Sequence, residues 1–214
     1  MYLTASMMCA DISQLKEQTI SLDNAGVDGF HIDVMDGEFV DNLSLGKEDV
    51  QAISENTKLP LDIHLMVNHP LIYMKYLSVY LPSIYFFHFE SLDDPLECVS
   101  YAKKQHVRPG LVINPETSLE DVRALLPKFD LILIMTVHPG FSGQNFINST
   151  IQKIREVKKI TSQRTQIFVD GALSIEKIYE LSNIGVYGFV LGSSCLFIKN
   201  KSFEERISKI RSWR

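Results

Sequence analysis

The sequence is poor in the features that mark several classes of protein. Its three cysteines, Cys9, Cys98 and Cys195, form no Cys-x-x-Cys pair, which argues against a disulfide framework and a zinc knuckle and favours a reducing, cytoplasmic compartment. No apolar run is long enough to cross a bilayer, and the first residues lack a secretory signal. Basic residues are outnumbered by acidic ones, 21 to 26, without a basic run, so we expect neither a membrane nor a nucleic-acid partner.

The chain also lacks linkers and low-complexity tracts, so we predict one domain over residues 1–214. Apolar, β-branched runs alternate with amphipathic segments, a pattern typical of parallel strands buried on both faces and, repeated eight times, of a (β/α)₈ barrel. An open doubly wound sheet is the alternative, but no G-x-G-x-x-G follows the first run. The predicted strands are Tyr2–Ser6, Gly29–Met35, Leu61–Val67, Ile84–Phe89, Arg108–Asn114, Leu131–Val137, Gln166–Asp170 and Gly188–Leu191. The predicted helices are Ile12–Asn24, Leu71–Val79, Asp94–Lys104, Leu119–Leu126, Thr150–Ile160, Ile175–Asn183 and Phe203–Arg211.

Polar side chains stand near the ends of three predicted strands, where barrels of this type carry their active sites. His31 and Asp33 share one face of the second strand, because side chains alternate along a strand. His64 lies near the end of the third strand and Asp170 at the end of the seventh. Two imidazoles and two carboxylates suit Zn²⁺, Mn²⁺, Fe²⁺ or Co²⁺. Spacing alone leaves open that these groups simply satisfy one another by hydrogen bonds.

Several segments together resemble the ribulose-phosphate 3-epimerase family, which includes epimerases of D-ribulose 5-phosphate and D-allulose 6-phosphate. The resemblance covers essentially the whole chain and implies a (β/α)₈ barrel of the ribulose-phosphate-binding type. It implies one divalent metal ion, with zinc favoured over Mn, Fe, Co or Mg, held by His31, Asp33, His64 and Asp170. The matching segments are Ser6-Met7-Met8, His31–Gly37, His64–Val67, Asn114-Pro115, Met135–Val137, Pro139–Phe141, Gly143-Gln144, Val169–Gly171 and Gly192-Ser193.

The implied activity is a ketose-phosphate 3-epimerase. Removing the proton at C3 and returning it to the opposite face requires two bases on either side of a planar enediolate. The resemblance assigns these roles to Asp33 and Asp170. The partner would be a small ketose phosphate, and we further predict a homo-oligomer.

The remaining predicted site residues each have a structural alternative. Ser6 would hydrogen-bond substrate or else backbone, and Met35, Met66 and Met135 would cap the enediolate or fill the core. Gly140, Phe141 and Gly143 would belong to a mobile lid over the site. The loops after strands seven and eight would bind phosphate through backbone N–H groups, or would be ordinary turns; these phosphate residues are Gly171, Ala172, Gly192 and Ser193.

The sequence departs from the family pattern at several positions. Thr4 and Ala5 stand where Ser and Pro are usual. Glu38 and Asp41 stand where many members have His and Pro, His138 where an acidic residue is common, and Ala172 where a second glycine is frequent. Met8–Asp11 and Asn114–Thr117 look more like the corresponding segments of allulose-6-phosphate epimerases. These motifs slightly favour allulose 6-phosphate as the substrate.

The sequence is also compatible with two other hypotheses about function. One is another sugar-phosphate enzyme on the same barrel, such as a lyase, although no predicted strand end carries the lysine of a Schiff-base aldolase. The other is a non-catalytic sugar-phosphate-binding barrel, supported only by the departures from the family. His88 and Glu90 share a face of strand four and either support the site from behind or pair with each other.

Overall fold

The computed structural model describes residues 1–212, which form a closed barrel of eight parallel strands joined in the order β1 to β8. The closed barrel confirms the predicted fold. Every helix among these residues is too short or too polar to span a bilayer. The single domain predicted to run to Arg214 stays a prediction, and its last two residues lie outside the described range. The strands are β1 Tyr2–Ser6, β2 Gly29–Met35, β3 Leu61–Met66, β4 Ile84–His88, β5 Arg108–Ile113, β6 Leu131–Met135, β7 Gln166–Asp170 and β8 Gly188–Leu191.

Helices follow the strands on the outside of the barrel. They are α1 Leu15–Ala25, α2 Lys47–Ser54, α3 Pro70–Leu77, α4 Pro95–Lys104, α5 Leu119–Val122, α6 Thr150–Ile160, α7 Ile175–Asn183 and α8 Phe203–Ser212. The helix predicted from Ile12 opens as a 3₁₀ turn, and the one predicted to Leu126 ends at Val122. We had not predicted α2, an eight-residue helix whose start is capped by Asp49, which accepts the Gly46 N–H at 2.8 Å.

The apolar residues form two main layers. The larger one lies between the outer faces of the strands and the helices, and the smaller one fills the barrel interior. Inside the barrel the rings of Phe86 and Phe168 lie 5.3 Å apart. A Cβ atom at Gly110 would lie 2.4 Å from Phe86, and one at Gly188 2.2 Å from Phe168. These two glycines therefore leave the space that the two rings occupy, and the rings form an aromatic floor beneath the polar end of the barrel.

Candidate metal and acid/base site

Strand register brings the predicted polar residues together at the C-terminal end of the barrel. Asp33 of β2 lies opposite His64 of β3, and Asp170 ends β7 beside Met135 of β6. His31, two residues before Asp33, points to the same interior because side chains alternate along the strand. Both imidazoles and Asp33 are almost completely buried, whereas the side chain of Asp170 keeps 16% of its surface exposed.

Nitrogen and oxygen atoms of these four residues converge on one point. His31 Nε2 lies 3.2 Å from His64 Nδ1, and His64 Nδ1 lies 3.2 Å from Asp33 Oδ1. His31 Nε2 is 3.5 Å from Asp33 Oδ1. Asp170 Oδ2 lies 3.8 Å from His31 Nε2 and 3.7 Å from His64 Nδ1. One ligand atom from each residue lies within 4.8 Å of the other three.

The spacing of these atoms fits a divalent cation. A tetrahedral ion with bonds of about 2.0–2.2 Å holds its ligand atoms roughly 3.3–3.6 Å apart, close to the 3.2–3.8 Å found among the histidine and aspartate atoms. The donor set of two imidazoles and two carboxylates suits Zn²⁺ and the neighbouring transition metals. The four residues can therefore hold a metal ion.

The electrostatics of the four residues show that the cluster favours a positive charge at its centre. Burial opposes a charge on His31, but the carboxylates of Asp33 and Asp170 outweigh it and raise the His31 pKa to about 9. Burial lowers the pKa of His64 to about 3. A proton on His31 thus balances the buried carboxylates in the metal-free protein. A divalent cation at the same point supplies that charge instead and leaves both imidazoles neutral, as metal ligation requires.

The two carboxylates differ in their surroundings. Burial opposes the ionised form of Asp33, but both imidazoles favour it and hold the pKa well below the ordinary value. Burial and the Asp33 charge raise the pKa of Asp170 to about 7. A nearby cation lowers the pKa of both groups. Such divergent environments are typical of paired acid and base groups.

Ser6 has a side-chain partner within the cluster. Its hydroxyl donates to Asp33 Oδ2 at 2.8 Å rather than to backbone. The bond leaves Asp33 Oδ1 turned towards the two imidazoles. Ser6 still lines the cavity above the cluster, and its role in binding substrate stays a prediction.

A cavity open to solvent lies above the four polar residues. Its wall brings together all the remaining residues that we predicted for the site. The three methionines that we predict to cap the enediolate are almost fully buried there. These wall residues are Ser6, Met35, Met66, Met135, Gly140, Phe141, Gly143, Gly171, Ala172, Gly192 and Ser193.

Backbone conformation distinguishes the loop after β7. Gly171 has φ +119°, and a Cβ atom there would lie 2.9 Å from the backbone nitrogen of Val137. Ala172 has φ +49°, in the left-handed region. The alanine that departs from the family pattern thus occupies a conformation that glycine adopts more easily.

The loop after β6 is connected to the loop after β2 across the cavity mouth. Asn42 Nδ2 donates to the carbonyl of Gly140 at 2.7 Å. Gln144 Nε2 donates to the carbonyls of His138 and Phe141 at 2.7 and 2.8 Å. Phe141 is 54% exposed at the rim. These bonds hold the predicted lid in place over the cavity.

The cavity wall also contains residues absent from our predicted site. Met8, Cys9, Val137 and Pro139 line it. All four residues follow the C-terminal end of a strand, and that position in a barrel could have predicted them as site residues. Glu38 and Asp41, two departures from the family, are not among the lining residues.

Sequence comparison with known proteins agrees with this geometry. The model of the "Ribulose-phosphate 3 epimerase family" matches residues 2–197. The chain belongs to the ribulose-phosphate 3-epimerase family. The ribulose-phosphate 3-epimerase of Bacillus subtilis (strain 168) is 34% identical over 96% of each chain. That of Synechocystis sp. is 35% identical over 97% of this chain and 91% of its own.

Membership of the ribulose-phosphate 3-epimerase family establishes the class of reaction. The chain is a ketose-phosphate 3-epimerase, an isomerase acting on carbohydrates, and its substrate is a small phosphosugar. This result decides against a lyase and against a non-catalytic binding barrel.

Solved structures of lower sequence identity share the fold alone. The 3-hexulose-6-phosphate synthase of Salmonella typhimurium superposes with a TM-score of 0.71 at 16% identity, covering 98% of this chain and 96% of its own. A Mycobacterium tuberculosis tryptophan synthase chain gives 0.70 at 12% identity, with 98% and 90% coverage.

Proposed function

We propose that the protein inverts C3 of D-ribulose 5-phosphate to give D-xylulose 5-phosphate by a metal-assisted, two-base reaction through an enediolate. The observation that carries this proposal is the convergence of Asp33 and Asp170, from strands distant in the sequence, on one point at the floor of an open cavity. Binding alone would not require two buried carboxylates at that point.

The two carboxylates have complementary tasks in this proposal. One removes the C3 proton, which the neighbouring C2 carbonyl makes acidic, and the other returns a proton to the opposite face. Asp33 and Asp170 exchange these tasks when the reaction runs in reverse. The hydroxyl of Ser6 holds Asp33 in a fixed orientation, so little reorganisation precedes proton transfer.

The metal proposal rests on the ligand set and its spacing. His31, Asp33, His64 and Asp170 would hold one divalent ion, with zinc favoured and Mn, Fe, Co or Mg as alternatives. When bound, the ion supplies Lewis-acid stabilisation of the negative charge that develops on the substrate during deprotonation.

The rest of the cavity would bind and enclose the substrate. The backbone N–H groups of Gly171, Ala172, Gly192 and Ser193 would receive the phosphate, as loops after the last two strands do in many barrels. Met35, Met66 and Met135 would cover the flat intermediate with a surface that offers it no protons. Gly140, Phe141 and Gly143 would exclude water from above.

The choice of substrate rests on the relatives. Ribulose-phosphate 3-epimerase is the name of proteins 33–35% identical to this chain over nine-tenths of its length or more. D-Allulose 6-phosphate, which would give D-fructose 6-phosphate, is the second candidate. It is favoured by the segments Met8–Asp11 and Asn114–Thr117, which include Cys9 on the cavity wall.

Assays with both substrates side by side test the choice. We expect kcat/KM for ribulose 5-phosphate to exceed that for allulose 6-phosphate by at least about tenfold, because one carbinol unit changes the distance from carbonyl to phosphate. A preference for allulose 6-phosphate would reverse the assignment and leave the epimerase chemistry intact.

Substitution of the two carboxylates tests the proposed chemistry. Asp33→Asn and Asp170→Asn should each lower kcat by at least about 10²-fold, the usual contribution of a general acid or base. Exchange of solvent deuterium into C3 should fall with turnover, while far-UV circular dichroism stays that of the parent.

The control for these variants is Asp121→Asn, which makes the same chemical change at an exposed position of α5 and should leave kcat unaltered. Full activity in either cavity variant would contradict the assignment of the two bases.

Assembly and compartment remain predictions. A homo-oligomer would elute from size exclusion well ahead of a 24.4 kDa monomer. The cytoplasm is supported by Cys9, Cys98 and Cys195, all of which carry free thiols.

A further inference from the structure

Behind His64 a row of polar groups leads away from the metal site. His64 Nδ1 faces the cluster, and its other nitrogen, Nε2, lies 2.9 Å from Nε2 of His88. On the far side of that ring, His88 Nδ1 lies 3.3 Å from Oε2 of Glu90. One continuous path of hydrogen bonds thus joins the metal site to a carboxylate on the strand-four side of the barrel.

The two imidazoles of this row are held rigidly. Their ring centroids lie 5.0 Å apart with an interplanar angle of 17°, so the rings are nearly coplanar and meet edge to edge through the Nε2 atoms, and both are almost completely buried. The ring of Phe39 packs against His88 at 4.7 Å. Water therefore has little access to the bond between the rings, and each nitrogen must find its partner within the protein.

Glu90 is placed to accept hydrogen bonds only. Its Oε1 accepts the backbone N–H of Asn114 at 3.0 Å and the hydroxyl of Thr117, while Oε2 faces His88. Lys153 fixes the loop that supplies these donors, since its ammonium group donates to the carbonyls of Asn114, Pro115 and Thr117 at 2.7–2.8 Å. A carboxylate satisfies all three donors, whereas an amide would turn an NH₂ group towards one of them.

These contacts permit one arrangement of protons. A metal ion bound at His64 Nδ1 leaves the proton on Nε2, which then donates to His88 Nε2. His88 must consequently carry its proton on Nδ1, where Glu90 accepts it. We propose that His88 and Glu90 are positioning residues that fix the tautomer and orientation of His64, so that its Nδ1 lone pair points at the metal.

The proposed relay supports only one of the two imidazole ligands. Within residues 1–212, His31 Nδ1 has no hydrogen-bond partner. Histidine ligands usually donate their second N–H to such a partner, and loss of that partner typically weakens metal binding 10–100-fold. We therefore expect metal affinity to depend on Glu90 although Glu90 does not contact the metal. This inference rests on the metal-assisted function proposed above.

Proton positions in the zinc-loaded wild-type protein give the first test, because it needs no variant. Long-range ¹H–¹⁵N correlation spectra of ¹⁵N-histidine-labelled protein distinguish the two tautomers of each ring. We expect His64 protonated at Nε2 and His88 protonated at Nδ1. A proton on His88 Nε2, or on both of its nitrogens, would overturn the proposal.

Zinc affinity, measured by competition with a chromophoric chelator, gives the second test. Glu90→Gln should weaken zinc binding by about 10–100-fold. Glu120→Gln makes the same change at an exposed site on α5 and should bind zinc as the parent does. Folding of each variant is checked by circular dichroism, so that loss of affinity is not mistaken for loss of structure.

A double-variant cycle separates the relay from a merely structural role. If Glu90 acts through His88, adding Glu90→Gln to His88→Phe should cost little more than His88→Phe alone. Additive losses, or unchanged affinity in folded Glu90→Gln, would refute the relay while leaving the epimerase proposal standing. Failure of the wild-type protein to bind zinc or another divalent ion would instead refute the metal-assisted function and the relay together.

Discussion

At the scale of single residues, the loop after β7 carries an alanine in a conformation that suits glycine. Ala172, at φ +49°, bears a steric cost of about 1 kcal/mol in the left-handed region. Ala172 lines the cavity, and its backbone N–H is present whether the residue is alanine or glycine. The departure from the family pattern should therefore affect stability more than phosphate binding.

Replacing Ala172 tests this interpretation. Ala172→Gly should leave KM within about twofold and raise the free energy of unfolding by up to about 1 kcal/mol, since relief of strain is partly offset by the freer unfolded chain. Urea unfolding measures the change. The neighbouring Gly171→Ala is the opposite case and should destabilise by more than about 2 kcal/mol, because its Cβ would meet Val137. A less stable Ala172→Gly protein would contradict the strain argument.

The residues of the metal cluster could be predicted from sequence, whereas their supporting contacts could not. Alternation along β2 fixes His31 and Asp33 on one face whatever the neighbouring strands do. The bond from Ser6 to Asp33 depends on how two strands pair, and the hydrogen bond between His64 and His88 depends on ring orientations across another pair. Local spacing contains no information about those orientations.

At the scale of secondary structure elements, Asp36 ties the loop after β2 to the loop after β3. Its Oδ1 accepts the N–H groups of Glu38 and Phe39 at 2.9 and 2.8 Å, and its Oδ2 accepts that of Asn68 at 2.8 Å. Partial burial opposes ionisation of Asp36, but these three donors outweigh it and hold the pKa below the ordinary value. The contribution to stability is therefore present above the unfolded pKa of about 4 and is lost as pH falls through the folded value.

Asp36→Asn should show this pH dependence. At pH 7 we expect the variant to be less stable than the parent by about 1–2 kcal/mol, the usual effect of losing a charge-assisted bond. The difference should shrink as pH falls below about 4, because the unfolded parent then takes up a proton that the folded Asp36 carboxylate resists. Urea unfolding of both proteins at each pH measures the difference in the free energy of unfolding. The titration of groups that both proteins share cancels from this difference. A difference that stays constant down to pH 3 would exclude the mechanism.

Element positions were predictable where the apolar pattern is strong. All eight strands begin at the predicted residue, but β3 to β6 end one or two residues early. Two of the extra residues, Val67 and Val137, lie past the strands and are nevertheless buried, Val67 in the outer apolar layer and Val137 in the inner one beside the cavity. The apolar core thus extends past the ends of the hydrogen-bonded strands, so composition alone could not separate these residues from the strands.

At the scale of the whole molecule, the four residues of the candidate metal site come from three strands, β2, β3 and β7. A cation bound there joins distant parts of the barrel, and it binds the folded state in preference to the unfolded chain. Zinc at about 100 times its dissociation constant should stabilise the fold by about 2.7 kcal/mol. For a domain of this size, that corresponds to roughly 5–10 °C in Tm.

Calorimetry with zinc and with excess chelator measures that shift. His64→Ala should show no response of Tm to zinc, whereas His69→Ala, at a half-exposed histidine that pairs with Asp93, should respond as the parent does. A zinc-dependent rise in the Tm of His64→Ala would show that the ion binds elsewhere.

The aromatic floor formed by Phe86 and Phe168 limits the route by which substrate can reach the polar residues and product can leave them. Since the two rings fill the barrel interior beneath the polar residues, we expect the sugar and its product to enter and leave from the cavity side, past the loops that the Asn42–Gly140 hydrogen bond joins. In the proposed two-base reaction, one carboxylate takes the hydrogen from C3 and the other supplies the hydrogen of the inverted product. An isotope placed at C3 should therefore leave the sugar with each inversion and reach bulk water from the cavity side of the barrel.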